Sequence, residues 1–350
     1  MFRQKNYYQK GQMRMKALLL KGVRDLSVEE VPVAPVGPTG VKLRVKRGLI
    51  CGTDHSLFAG SFPVPGEYPF FIGHELAGIV EEVGPNVRNI TPGQAAVCNP
   101  VIYCNECYRC RNGQQHYCER LTELWKPNGG FSEYIVVDSQ QVFAIPEGIS
   151  LDQAAFTEPL SVCVHCVDMA DIKPGMSVAI TGAGPVGLLL LQLAIRSGAA
   201  TTLVSEPVAS KREMAKKLGA DFVVDPAAED IMQKAFEATD NRGFDVVIEA
   251  SGNAQAVQDA YNITGSKSQL FYFAVYPMDL TLPLSLFMLY FKELTIKGVF
   301  FSPYSFPRAI NMLPKLELER LITHRLPLER AAEAFPLYET GEPIKIAIEC

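Results

Sequence analysis

Between Met15 and about residue 165 the apolar residues come in short runs, many alternating with polar ones, and Gly or Pro interrupts them every few positions. That pattern predicts short, half-buried strands and a β-rich, barrel-like unit beginning at "MKALLL". After that the pattern changes. Ser177–Thr181 is short, apolar and partly β-branched and reads as a buried parallel strand. A long apolar helical stretch follows and ends at Gly198, and Thr201–Ser205 reads as the next strand. "LGADFVVDP", "GFDVVIEASG" and "SQLFYFAVYP" extend the series, with polar-faced helical segments between them and Asp221 and Asp245 at the turns into strands. Such alternation predicts a doubly wound parallel sheet. "RAINML" and "LERAAEAFPLYET" read as helices and "PIKIAIEC" as a last strand. The expected fold class is α/β in two domains, which suits 350 residues.

Length and charge remove several classes of function. The richest apolar stretches, "VGLLLLQLAI" and "LPLSLFMLYF", are shorter than the roughly 18–20 residues of a membrane helix, so no membrane association is expected. The first fourteen residues are polar and lack the apolar segment of a secretory signal; they are expected to be a disordered extension without function. A net charge of −5, with basic residues scattered apart from a short run near the N-terminus, argues against nucleic-acid binding. The nine cysteines are an odd number and no secretion signal precedes them, which speaks against a disulfide framework and for a cytoplasmic protein.

Four of those cysteines fall in "CNECYRCRNGQQHYC". Cys104, Cys107 and Cys110 are three apart, and Cys118 follows after seven residues. Successive C-x-x-C steps point sulfurs at one centre, and the wider gap lets the chain close a tetrahedron. Four thiolates with no vacant position make a structural zinc site. The rival is an iron–sulfur cluster, although the run lacks the C-x₃-C-P ending of bacterial ferredoxins. Cys163 and Cys166 share the C-x-x-C spacing but lie in an apolar helical pattern and read as small core residues.

A second set of ligands is spread more widely. Cys51 stands in "GLICGTDHS", His74 and Glu75 in "FFIGHELAG", and Glu158 in "AAFTEPLSV", each at the edge of an apolar segment. Taken singly, Cys51 is a buried thiol, His74 a satisfied polar group and Glu158 a helix-start acid. Together, Cys, His and a carboxylate suit a catalytic zinc that keeps one open position.

The stretch from Ser177 carries a different chemistry. Gly182, Gly184 and Gly187 form G-x-G-x-x-G between a predicted strand and helix, with Pro185 and Val186 inside the turn. The first glycine permits the tight turn, the second lets backbone approach a pyrophosphate, and the third lets helix pack on strand. Glu206 stands nineteen positions after Gly187, where a carboxylate can accept from both hydroxyls of the adenosine ribose and repel the extra phosphate of NADP. NAD is the expected cofactor. Lys211 and Arg212 lie just beyond and read as solvated helix-face charges.

"GHELAGIVEEVG", the C-G-T-D before it, the four-cysteine lobe and "EPLSV" resemble, in order and spacing, the zinc-dependent medium-chain alcohol dehydrogenases. The resemblance runs from about Met15 to Cys350 and is closest to the sorbitol, threonine and butanediol dehydrogenase branch. It implies a GroES-like catalytic domain over 15–165, completed by 300–350, and a Rossmann NAD-binding domain over 166–299. It implies one catalytic and one structural zinc per chain, with Cys51 and His74 as catalytic ligands and Glu75 or Glu158 as the third. The cleft between the domains would hold zinc on one wall and nicotinamide on the other, with backbone near Ala274 and Val275 beside the nicotinamide. Thr53 would accept the substrate proton. The family's outer relay His falls on Ser56, with His55 one place earlier, so either His55 reaches in or the cofactor ribose passes the proton on. Lys211 would assist the ribose.

The substrate implied is a secondary alcohol, whether polyol, cyclitol, amino alcohol or diol, oxidised to a ketone. Phe301 follows Phe300 where polyol-oxidising relatives can carry an Arg, and Phe62, Leu124, Trp125 and Phe131 are candidates for an aromatic wall. A sugar-phosphate dehydrogenase and a non-catalytic zinc-bearing interaction protein are the alternatives; an intact set of Cys51, His74, Glu75 and Glu158 opposes the second. A homodimer or homotetramer is expected.

Overall fold

The computed structural model describes residues 13–62, 67–121 and 129–350. Residues 1–12, Leu124 and Trp125 lie outside these. The chain forms two compact units. The first holds the described residues up to Glu158 with His324–Glu339 and Ile346–Cys350; the second holds Pro159–Thr323 and Thr340–Lys345.

The first unit is built on short strands: β1 (Arg14–Gly22), β2 (Asp25–Pro32), β3 (Gly40–Leu49), β4 (Phe70–Phe71), β5 (Glu75–Val83), β6 (Ala95–Cys98), β7 (Tyr134–Asp138) and β8 (Val142–Ala144). β1 lies between β2 and β4 in a small sheet. β3 pairs antiparallel with both β5 and β7, and β5 passes on to β6 and then β8. The inward faces carry Val41, Leu43, Val45, Leu76 and Val80 into one core. Leu18, Leu20, Ile50, Phe131 and Phe335 form another. Phe131 is wholly buried, so it is core and not a pocket wall. It fills the space under Gly73, where an added Cβ would come within 2.9 Å of its ring and φ is +90°. Phe62 is half-buried against the same core.

The second unit holds β9 (Ser177–Thr181), β10 (Thr201–Ser205), β11 (Phe222–Val224), β12 (Phe244–Glu249), β13 (Thr264–Tyr272) and β14 (Thr295–Gly298). They form one sheet in the order β11-β10-β9-β12-β13-β14, with every pairing parallel. The chain works outward from β9 and then returns to lay β12 on its other side. The crevice between β9 and β12 is therefore the switch point where such sheets bind ligands. Asp221 accepts from Thr202 and Asp245 from Ser177, each through a backbone N–H at 2.8 Å, so the two turn acids pin neighbouring strand starts together. Two later strands follow, β15 (Ile322–Pro327) and β16 (Lys345–Glu349). β16 runs antiparallel to β3, with Ala347 opposite Leu49.

The units divide differently from the expected 15–165 with 300–350 and 166–299. Residues 159–165, 300–323 and 340–345 fall in the second unit. The reason lies in the helix Thr157–Ala170, whose Cys163 and Cys166 are fully buried, and in two ties from the later segment. Arg308 pairs with Asp168 (Nη2 to Oδ1, 2.8 Å), and Glu317 donates its N–H to Gln192 at 2.7 Å.

Candidate metal centres and dinucleotide site

Register builds the first candidate centre. Leu49, the last residue of β3, lies opposite Glu75, the first of β5. Cys51, just past β3, and His74, just before β5, therefore meet at one end of the sheet. The positive φ of Gly73 turns the chain so that His74 and Glu75, which on one strand would face opposite ways, serve the same point. One ligand atom from each of Cys51, His74 and Glu75 lies within 4.8 Å of the others. Glu75 is 1% exposed. Glu158, at the start of the helix Thr157–Ala170, is half-buried and is not a member of this set.

Asp54, which sequence reasoning passed over, organises the centre. It is fully buried. One oxygen accepts the Cys51 N–H at 3.0 Å; the other accepts the Gly73 N–H at 3.1 Å and lies 3.3 Å from His74 Nδ1. The signal was present: an Asp three residues after the residue preceding a helix, here Gly52–Ala59, sits at capping-box spacing. Burial works to lower the His74 pKa, but the Asp54 carboxylate and the Cys51 thiol outweigh it and hold it well above its usual value. A thiol, an imidazole and two carboxylates in so small a space call for a cation, and Cys/His/carboxylate with one position left open is a donor set for catalytic zinc.

Thr53 and Ser56 lie in the helix Gly52–Ala59, both half-buried, with Thr53 in its first turn. His55 is engaged elsewhere. Its Nε2 is 3.0 Å from Glu339, and its ring stacks on Tyr338 with centroids 5.0 Å apart. Arg24 also binds Glu339, at 2.8 Å.

The second centre gathers Cys104, Cys107, Cys110 and Cys118, whose sulfurs all lie within 4.8 Å of one another. The Cys104 and Cys110 sulfurs are 3.8 Å apart, close to the edge of a tetrahedron with Zn–S of about 2.3 Å. Backbone N–H groups of Glu106 (3.5 Å) and Cys107 (3.4 Å) point at Cys104, and that of Cys110 at Cys107 (3.4 Å). The donors from Glu106 and Cys107 bring the Cys104 thiol down to about 6, whereas burial pushes Cys110 up to about 12. A cation at the centre is what allows four thiolates to coexist.

The dinucleotide features lie in the second unit. Gly182 has φ +101°, and an added Cβ would be 2.9 Å from Ser251 on the turn after β12. At Gly187 a Cβ would sit 2.0 Å from the Gly182 carbonyl, so the helix Pro185–Arg196 can lie this close only with glycine. Above Gly184 there is open space, with nothing within 4 Å of an added Cβ. That residue precedes Pro185, the first of the helix, whose leading N–H groups, Val186 and Gly187 among them, have no acceptor inside the helix. Glu206 stands at the carboxyl end of β10, 7% exposed, accepting the N–H of Ala183 at 2.8 Å and of Val208 at 3.0 Å. Burial lowers the Lys211 pKa, and the charge of Glu206 offsets part of that. Ala274 is half-buried and Val275 59% exposed on the segment after β13. An open cradle at a helix N-terminus, backed by a carboxylate at the next strand end, fits a pyrophosphate and ribose.

Comparison with known proteins agrees. Residues 37–147 match the model of the alcohol dehydrogenase GroES-like domain and residues 185–315 that of the zinc-binding dehydrogenases. The chain belongs to the zinc-dependent medium-chain alcohol dehydrogenases. It is therefore an oxidoreductase whose fold joins a GroES-like and a Rossmann unit, and whose cofactors are zinc and a nicotinamide dinucleotide. Among its relatives, the L-threonine 3-dehydrogenase of Pyrococcus horikoshii is 36% identical over 327 residues, covering 91% of this chain and 93% of the relative. The sorbitol dehydrogenase of Rattus norvegicus is 30% identical over 345 residues, 95% of each chain. A zinc-binding dehydrogenase structure from Sinorhizobium meliloti 1021, solved with NADP, superposes with TM-score 0.92 at 34% identity and covers 97% of this chain and 100% of its own.

Proposed function

We propose that this chain oxidises a small secondary alcohol (a polyol, cyclitol, amino alcohol or diol) to a ketone, with NAD as hydride acceptor. The observation that carries the reading is the Cys51–His74–Glu75 set at the end of β3 and β5. These three residues are the ligands of a catalytic zinc, and Asp54 orients His74 behind it. The zinc would act as a Lewis acid on the alcohol oxygen. Thr53 would accept the hydroxyl proton, and a bound nicotinamide would supply the hydride acceptor. With His55 held by Glu339, Ser56, or the ribose of a bound cofactor, would be left to pass the proton toward solvent. Glu158 lies outside the direct ligands. Cys104, Cys107, Cys110 and Cys118 hold the structural zinc.

Glu206 supports NAD, since its carboxylate stands where the adenosine ribose would lie and would repel a 2′-phosphate. The names of the relatives, threonine and sorbitol dehydrogenases, support a substrate with vicinal polar groups. A cytoplasmic site of action accords with nine cysteines that form no disulfide and with the absence, among the described residues, of a helix long and apolar enough to cross a membrane. The helix Leu286–Phe291 exposes Leu286, Phe287, Tyr290 and Phe291 and leads into β14, the outer strand of its sheet, which supports a homodimer as the assembled form.

The test is metal content together with a screen of threonine, polyols, cyclitols and diols read by NADH fluorescence. Two zincs per chain are expected, falling to one in Cys51→Ser and His74→Ala with turnover lost and NAD binding kept. Near-full activity in either variant would refute the reading.

A further inference from the structure

The adenosine end of the dinucleotide site carries a guanidinium that the ribose reading does not use. Arg212 stands on the helix Ala209–Lys217, six residues after Glu206. Its Nη1 donates to the carbonyls of Glu206 at 2.7 Å and Pro207 at 2.6 Å. Its Nη2 lies 2.9 Å from Asp225 Oδ2, and the two side chains are only 19% and 23% exposed. Asp225 directly follows β11, the strand beside β10. It is itself anchored: its other oxygen accepts the Ala227 N–H at 3.0 Å, and its own N–H donates to Glu229 at 2.9 Å.

An arginine near the carboxylate-bearing strand end is the group that takes an adenosine 2′-phosphate in this fold, because a guanidinium offers a charged, forked set of donors. In this chain the guanidinium is turned onto two carbonyls and a carboxylate, and its charge is matched by that carboxylate. We propose that Asp225 is a specificity-determining residue, which withholds Arg212 from an adenosine 2′-phosphate and so adds to the discrimination made by Glu206. The proposal rests on the reading that Glu206 faces the adenosine ribose. The two devices differ in kind: Glu206 repels the phosphate, whereas Asp225 occupies the cation that would attract it.

Adenosine 5′-monophosphate and adenosine 2′,5′-bisphosphate differ only by the 2′-phosphate, so the ratio of their Kd values on the full-length holoenzyme isolates the effect. Asp225→Asn keeps an oxygen for the Ala227 N–H and removes the charge; Asp225→Ser serves as a second variant should the first fold poorly. The ratio is expected to shift about tenfold toward the bisphosphate, with a matching rise in kcat/KM for NADP relative to NAD. Adding Arg212→Gln should abolish the gain. A merely structural role for Asp225 would change both nucleotides alike and leave the ratio where it was. A ratio unmoved in both Asp225 variants, or a gain that survives Arg212→Gln, overturns the proposal. Glu206→Ser separates the two readings. If it leaves the ratio unchanged, the ribose reading fails; if it shifts the ratio while the Asp225 variants do not, only the role of Asp225 fails.

Discussion

Asp54 joins the two segments that bring a thiol and an imidazole together: one oxygen takes the Cys51 N–H at 3.0 Å, and the other lies 3.3 Å from His74 Nδ1. A carboxylate behind a metal-binding imidazole fixes its tautomer and ring angle and raises its basicity. Asp54→Asn keeps the shape but loses the charge and one of the two oxygens that accept backbone N–H groups. Zinc in the catalytic site should then bind about 10–100-fold more weakly. Chelator titration with zinc counting measures this directly, and a variant that holds two zincs as tightly as the parent would show that Asp54 does not act on the metal.

The four-cysteine lobe makes a contrasting prediction. On the proposed reading, Cys118→Ser removes one thiolate from a closed structural zinc centre outside the site of turnover. Zinc should fall from two to one per chain and Tm by roughly 10 °C, because metal binding there is part of the folding free energy. Activity measured below the new Tm should persist. Loss of activity without loss of Tm would mean that this lobe is not a staple.

On the proposed reading, cofactor choice follows from Glu206, whose carboxylate is oriented by Ala183 and Val208. Glu206→Ser removes the carboxylate charge that this reading sets against a 2′-phosphate. The ratio of kcat/KM for NADP to that for NAD should rise by about tenfold or more. An unchanged ratio would take the discrimination away from this residue.

Much of this was legible because buried parallel strands are written as continuous apolar runs. β9 and β10 fall on Ser177–Thr181 and Thr201–Ser205 for that reason, and the glycine turn between them is forced by contacts that a single Cβ would violate. The capping-box spacing of Asp54 is legible, but its service to His74 is not, because that partner is twenty positions away and only the β3–β5 register brings it near. The division at Glu158 was hidden because the helix that follows is apolar around much of its circumference, so its pattern does not say which unit it joins. His55 illustrates the same limit. The resemblance put a relay His one place later, at Ser56, and left His55 as a possible stand-in, but Glu339, nearly three hundred positions later, determines where its ring goes.

The last prediction concerns stability and acid. Asp152, in the helix Leu151–Ala155, binds Arg47 on β3 at 2.5 Å and Arg325 on β15 at 2.7 Å, so one carboxylate ties three elements of the first unit. Burial works to raise the Asp152 pKa, but the hydrogen bonds from Arg325 and Arg47 outweigh it, and the carboxyl sits below its usual value. A depressed folded-state pKa means that the charged form is favoured by folding. The stabilisation is therefore complete above the unfolded pKa, about 3.9, and is lost as pH falls through the lower folded value. Asp152→Asn should cost about 1 kcal/mol near pH 7, the scale of a partly exposed ion pair, and progressively less toward pH 3. Denaturant melts of parent and variant at the two pH values check the sign. A difference that stays constant, or grows on acidification, would show that the two arginines are not what Asp152 contributes.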